Sequence, residues 1–369
     1  MEQGRMSFAV VGAGGGGQAM AGYLALKGYR TNLYNRSANR LDAIQRRGGL
    51  FLEGQWSGFA PLNAVTTDLS LALRGVDVVM VVVPASAHRD LATRMAVLLQ
   101  PGQVVLLNPG RTGGALEFRF VLDGFGVSDE VTVAEAQTLL FASRAVDSAR
   151  ARIYATKRKV HVAALPATRT AGVLALLNGV FPQFAGAESV LQTSFDNIGA
   201  IFHPAPTLLN AARIEGGVPF EHYCEGVSPS VARILEEMDE ERRSVGRAMG
   251  LHLRSATGFL REAYGVRARG LCRAMKSNRG YAGILAPDSV QHRYITEDVP
   301  TSLVPMTSFG DVFGVPTPTL KSIIHLASIM HGVDYWRTGR TVDRLGLSGM
   351  NAEQIRGLVT GLRSDQMVG

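Results

Sequence analysis

A short apolar run, Ser7 to Val11, leads directly into Gly12-Ala13-Gly14-Gly15-Gly16-Gly17. Residues Gln18 to Lys27 then follow with helical spacing and stop at Gly28. Strand, glycine turn, helix and helix stop in this order leave few folds open. The glycines match a G-x-G-x-x-G turn. Gly12 permits the tight turn, Gly14 lets a pyrophosphate approach the backbone, and Gly17 lets the helix pack closely on the sheet. Gly15 and Gly16 fall where the helix N-terminus presents free N–H groups to phosphate oxygens. The same residues could make a glycine-rich turn without a ligand. The strand–helix–strand context favours a dinucleotide site.

The second strand, Thr31 to Tyr34, runs into Asn35-Arg36-Ser37, with Arg40 close behind. An NAD site usually places Asp or Glu at this point, to bind the ribose hydroxyls. A neutral amide at Asn35 removes repulsion against a 2′-phosphate, and arginine supplies paired donors to one. Asn35, Arg36, Ser37 and Arg40 therefore favour NADP(H), with NAD(H) kept open. Solvated loop arginines are the plainer alternative.

The α/β alternation continues. Val78 to Val83 reads as a buried parallel strand, Ser86 to Leu99 as a helix and Val104 to Leu107 as a strand ending in Asn108-Pro109-Gly110. Gly113-Gly114 opens a helix, and Val131 to Ala134 is a strand ending in Glu135-Ala136-Gln137-Thr138. Ligands of open α/β sheets bind beyond the carboxyl ends of the strands. That makes Pro84 and Asn108 candidates for the cofactor side of a pocket and Gln137 for the substrate side. Turn chemistry accounts for all three as well. A hairpin-like stretch, Ile153 to Leu165, and a helix, Thr168 to Leu177, close this half.

After Phe181-Pro182 the pattern becomes helical. Ser228-Pro229 is a strong helix start, with Val231, Ile234, Leu235 and Met238 at helical spacing and Gly250 near the stop. Thr319 to His331 and Asn351 to Leu362 read as further helices. The expected architecture is an α/β Rossmann-type doubly wound parallel sheet domain, residues 1–184, followed by an all-α domain, residues 185–369. An interface between such domains is a normal place for a substrate cleft.

Composition narrows the function classes. In 369 residues, 46% are hydrophobic and 19% charged, a folded rather than disordered profile. No apolar run approaches the roughly 20 residues of a membrane span, and no signal-like region opens the chain, so the cytoplasm is expected. The net charge of +7 comes from scattered basic residues with only Lys157-Arg158-Lys159 as a run. Phosphate-bearing cofactors and carboxylate substrates explain that field as well as nucleic acid would. No nucleic-acid or membrane partner is expected, and a helical domain is compatible with a homodimer. Cys224 and Cys272 lack disulfide or metal-ligand spacing, so no metal is expected.

Among eight histidines, His203 stands apart, in Asn197-Ile198-Gly199-Ala200-Ile201-Phe202-His203-Pro204, with Asn210 downstream. Asp298 lies in Arg293-Tyr294-Ile295-Thr296-Glu297-Asp298-Val299-Pro300. A histidine oriented by a carboxylate is the minimum equipment for proton transfer beside a nicotinamide. Taken alone, each residue could be structural.

The glycine turn, Tyr34-Asn35-Arg36-Ser37, both these segments, Leu208-Leu209-Asn210 and Gly314-Val315-Pro316-Thr317-Pro318 together resemble the octopine/nopaline (opine) dehydrogenase family. The likeness runs over nearly the whole chain. It implies a Rossmann domain, then a helical domain. It also implies NAD(P)H-dependent reductive condensation of an α-keto acid, pyruvate by default, with the amino group of an amino acid. The family's catalytic histidine corresponds to His203, its partner aspartate to Asp298 and a keto-acid carboxylate anchor to Arg293. Asn197, Asn210 and Gln137 complete the substrate candidates. Tyr223, Glu225 and Trp336 are candidates by chemistry alone. Many family members use NADH, whereas the end of the second strand here suits a phosphate. Two other readings stay open at this level: a 2-keto acid or ketone reductase on the same scaffold, and a non-catalytic NADP(H)-binding sensor.

Overall fold

The computed structural model describes residues 6–127 and 129–362. Two compact units emerge. The first runs to Thr193 and takes back the chain from Leu358, and the second is Ser194–Gly357.

The first unit carries an eight-stranded sheet in the order β12-β11-β8-β7-β6-β1-β2-β5. Its strands are β1 (Ser7–Val11), β2 (Arg30–Tyr34), β5 (Ala64–Thr66), β6 (Val78–Val81), β7 (Val104–Leu107), β8 (Thr132–Ala136), β11 (Val160–Leu165) and β12 (Phe184–Gly186). From β5 to β8 every pairing is parallel, while β11 runs antiparallel to β8. The residues of β1, β6 and β7 are buried throughout. Strands covered on both faces need continuous apolar runs, which is what these segments supply. Burying each Val or Leu contributes roughly 1.5–3 kcal/mol.

A second, four-stranded sheet has the order β4-β3-β10-β9, formed by β3 (Gly49–Gly54), β4 (Gly58–Pro61), β9 (Phe141–Asp147) and β10 (Arg150–Thr156). It packs on the helix α1 (Gly15–Leu26) that follows the glycine turn. The expected hairpin over Ile153 to Leu165 does not form. β10 pairs with β3 and β9, whereas β11 pairs with β8 and β12. Burial explains the split. In β10, Ala151 and Ile153 are buried while Arg152 and Tyr154 are exposed, a one-faced strand. In β11, Val162 to Leu165 are buried without a break and require cover on both faces. Lys157-Arg158-Lys159 carries the chain from one sheet to the other.

The second unit is helical. Ser228 caps the helix Pro229–Ala248, its Oγ accepting from the Val231 N–H at 3.3 Å, and Gly250 follows the helix end at φ +81°. Glu241 of this helix accepts from the N–H groups of Thr319 (2.7 Å) and Leu320 (2.9 Å), so one helix caps the next, Pro318–His331. Arg242 is buried against Asp239 at 2.7 Å, and it also donates to the Phe195 carbonyl and to that of Arg254. These bonds fix the chain just ahead of Asn197. No helix among the described residues is long and apolar enough to cross a membrane.

Candidate active site

At the first β–α turn, backbone geometry assigns each glycine a task. Gly12 has φ +113°, where an added Cβ would also lie 2.3 Å from the Val82 carbonyl oxygen. Gly17 lies directly on the turn, and a Cβ there would fall 1.7 Å from the Gly12 oxygen. Gly14, the residue before α1, faces open space within 4 Å. Gly15 lies under β9 at Ala145, and Gly16 under Leu139. A closed underside with an open Gly14 fits a pyrophosphate lying against the helix N-terminus. Gly17→Ala is therefore expected to destabilise the fold by about 3 kcal/mol through overpacking, and Gly14→Ala by less than about 0.5 kcal/mol. Urea unfolding of the two variants checks this contrast, while dinucleotide titration should show both binding more weakly than the parent chain.

Asn35 at the end of β2 accepts from the Ala13 N–H at 3.1 Å and donates to the Ser37 carbonyl at 3.0 Å. It bridges the glycine turn to the following loop. Arg36 and Arg40 are exposed, and neither makes an ion pair or hydrogen bond among the described residues. The sequence reading missed Arg94, which reaches across from the helix His88–Ala96 to the Tyr34 hydroxyl at 2.6 Å. No local motif announces it, because sheet pairing creates the proximity. Further along, Pro84 is exposed just beyond β6, and Asn108 is buried after β7 with its Oδ1 accepting no hydrogen bond among the described residues. Gln137 contacts His161 Nδ1 through Oε1 at 2.9 Å.

In the second unit His203 and Asp298, 95 residues apart, meet at Nδ1···Oδ2 2.9 Å. The Asp298 carboxylate is fully buried, while 18% of the His203 side chain is exposed. Two segments hold this pair. Asn197 donates from its Nδ2 to Ser302 Oγ at 2.8 Å, joining the stretch before His203 to the stretch after Asp298. A π-helical turn, Val299–Leu303, follows Asp298 immediately, a local widening common at functional sites. Asn197 thus braces the His203–Asp298 pair with its amide. Asn210 commits both amide hydrogens to backbone carbonyls, Pro206 at 2.8 Å and Gly226 at 2.9 Å, so only its oxygen remains for a ligand. Arg293 keeps 59% of its side chain exposed and pairs with buried Glu297 at 2.9 Å, which aims the guanidinium without enclosing it.

Rings surround the pair. Tyr294 stacks on His203 and also touches His222 and His292. Tyr223 packs on His222 and Tyr281, and Glu225 accepts from the Glu221 N–H, so both serve local packing. Burial, then the nearby His203, lowers His222 to about 4. Burial also lowers His292, with Arg293 the next cause. His222 therefore binds its proton more weakly folded than unfolded. As pH falls from about 6.5 towards 4, the unfolded chain takes up the proton first and stability drops. The expected loss is roughly 3 kcal/mol. Chemical denaturation across that range should show it, and His222→Asn should remove most of this component.

The folded parts define a class first: a Rossmann-type sheet unit followed by a helical unit that carries a hydrogen-bonded His–Asp pair. Residues 186–331 match the model of the NAD/NADP octopine/nopaline dehydrogenase alpha-helical domain, and residues 8–110 match that of ketopantoate reductase PanE/ApbA. The chain is 40% identical to an opine dehydrogenase of Arthrobacter sp. (strain 1C), over 96% of this chain and 98% of that one. It superposes on octopine dehydrogenase solved with NADH and L-arginine with a TM-score of 0.82, at 22% identity, covering 97% of this chain and 98% of the other. Yersinopine dehydrogenase with NADP+ bound gives a TM-score of 0.76 at 15% identity, with 97% and 98% covered. The chain belongs to the opine dehydrogenase family, and is an NAD(P)-dependent oxidoreductase acting on CH–NH bonds.

Proposed function

We propose that this enzyme joins an α-keto acid, pyruvate by default, to the amino group of an amino acid, giving an N-(carboxyalkyl) amino acid. His203 is the proton carrier, Asp298 its partner and Arg293 the carboxylate anchor. The carrying observation is the 2.9 Å His203–Asp298 bond, with the carboxylate buried and the imidazole partly open.

Bound NAD(P)H supplies hydride to the carbon that becomes bonded to nitrogen. The rest falls to side chains. Asp298 accepts the Nδ1–H and so fixes the tautomer that leaves the Nε2 lone pair for substrate. Neutral His203 takes a proton from the amino acid's ammonium and frees the amine to attack the keto carbon. The imidazolium then returns that proton as the carbonyl oxygen leaves as water, producing the protonated imine (iminium) for reduction. Arg293 holds the keto-acid carboxylate in a paired grip. Gln137 is the substrate candidate carried by the first unit.

For the cofactor, the glycine turn takes the pyrophosphate, with Pro84 and Asn108 beyond the strand ends. The orphaned Asn108 Oδ1 suits a ligand N–H. Exposed Arg36 and Arg40 beside neutral Asn35 favour NADP(H). Solved relatives carry either cofactor, NADH in octopine dehydrogenase and NADP+ in yersinopine dehydrogenase. Arg36→Ala should weaken NADPH about tenfold or more and leave NADH nearly unchanged, as read by fluorescence titration. Equal losses would remove the phosphate role. Chemistry on NAD(P)H and a keto acid suits the cytoplasm.

The reading is tested by screening keto acids against amino acids with each reduced cofactor, and identifying products by mass spectrometry. A secondary amine that needs both substrates is expected. Keto-acid-dependent oxidation with no amine requirement would favour a simple keto-acid reductase, the reading suggested by the ketopantoate reductase match over residues 8–110.

A further inference from the structure

Asp298 controls only part of the freedom of the His203 ring. A single hydrogen bond at Nδ1 sets the tautomer and the edge that turns inward. It leaves the tilt of the ring weakly restrained, because the torsion joining an imidazole to its Cβ is broad. A second contact addresses that tilt. The rings of His203 and Tyr294 lie 4.1 Å apart between centroids and 14° from parallel. Tyr294 is itself held from other sides. His292 Nδ1 accepts from the Tyr294 N–H at 3.3 Å, and the His292 ring meets the phenol edge-on at 4.5 Å. His222 closes in at 5.0 Å, braced by Tyr223, which stacks on Tyr281 at 4.2 Å. The phenol is thus a wall supported from behind, not a loose surface ring.

We propose that Tyr294 is a positioning residue for the proton relay, and that its flat face holds the His203 imidazole in the plane from which Nε2 reaches substrate. This rests on the reading of His203 as the proton carrier. Tyr294 acts through His203 alone, and its aromatic face matters rather than its hydroxyl. Removing the wall costs proton-transfer geometry, and a misplacement of about 1 Å can cost on the order of 100-fold in rate.

The test compares Tyr294→Leu, Tyr294→Phe and His203→Ala in the purified full chain, using the substrate pair found in the screen. Tyr294→Leu is expected to lower kcat by roughly 10–100-fold, with KM and the dissociation constant of the reduced cofactor nearly unchanged. Its solvent deuterium isotope effect on kcat should rise as proton transfer becomes limiting. Tyr294→Phe should restore kcat and the smaller isotope effect. Circular dichroism and the urea midpoint establish whether Tyr294→Leu is folded. Should it fail to fold, Tyr294→Trp, which keeps a flat face, is compared with Tyr294→Met: high activity in the first and low in the second supports the proposal. Parent-like kcat in folded Tyr294→Leu, or failure of Phe to rescue, overturns it. Parent-like kcat in His203→Ala would instead sink the reading of the relay, so the two failures are distinct.

Discussion

His203→Ala is expected to lower kcat by about 10³-fold while leaving the affinity for the reduced dinucleotide within about twofold. The asymmetry follows from the division of labour. The glycine turn and the end of β2 belong to the first unit, and the imidazole to the second. In the proposed mechanism His203 handles two proton transfers, deprotonating the ammonium and helping the carbonyl oxygen depart. Losing both leaves an amino acid that is almost entirely protonated near neutral pH and therefore poorly nucleophilic. Pre-steady-state kinetics and equilibrium titration separate the two quantities. A fall in cofactor affinity matching the fall in kcat would mean that His203 supports binding rather than proton transfer.

Asp298→Asn gives the second large effect, about 10²–10⁴-fold in kcat. The replacement is nearly isosteric, and the position is fully buried, so shape is preserved while chemistry changes. An amide can offer its N–H to Nδ1, which would place the ring proton on Nε2 and present substrate with a donor where an acceptor is required. It also withdraws the negative charge that stabilises the imidazolium. Asp298→Ala adds a cavity and an unpaired imidazole N–H, so it should lose stability as well as rate. Unfolding curves beside turnover numbers distinguish these outcomes. An Asn variant with parent-like kcat would show that the carboxylate does not set the tautomer.

The legible features were those written in local chemistry. The Gly12-to-Gly17 spacing, the continuous apolar runs of β1, β6 and β7, and the Ser228-Pro229 cap each encode backbone geometry within a few residues. The second sheet was hidden because β4 buries only Ala60 and β9 only Phe141, so neither carries an alternating pattern, and because β10 meets β3 about 100 residues away in sequence. The expected hairpin fails for a different reason: the neighbouring strands β10 and β11 differ in how many faces they bury. At the candidate site, His203 and Asp298 were marked by their segments, but the links that hold them were not. Asn197 with Ser302, Arg293 with Glu297 and Tyr294 against His203 are products of helix packing. Tyr294 was visible in the sequence only as the neighbour of Arg293.

The central claim is that hydride ends on a carbon newly bonded to nitrogen. The most direct measurement supplies cofactor deuterated at the transferring position together with a keto acid and an amino acid, then reads the product by mass spectrometry and NMR. The account predicts a secondary amine carrying the deuterium on the carbon between the keto acid's carboxylate and the nitrogen. A deuterated 2-hydroxy acid, formed equally well with no amino acid present, would contradict it.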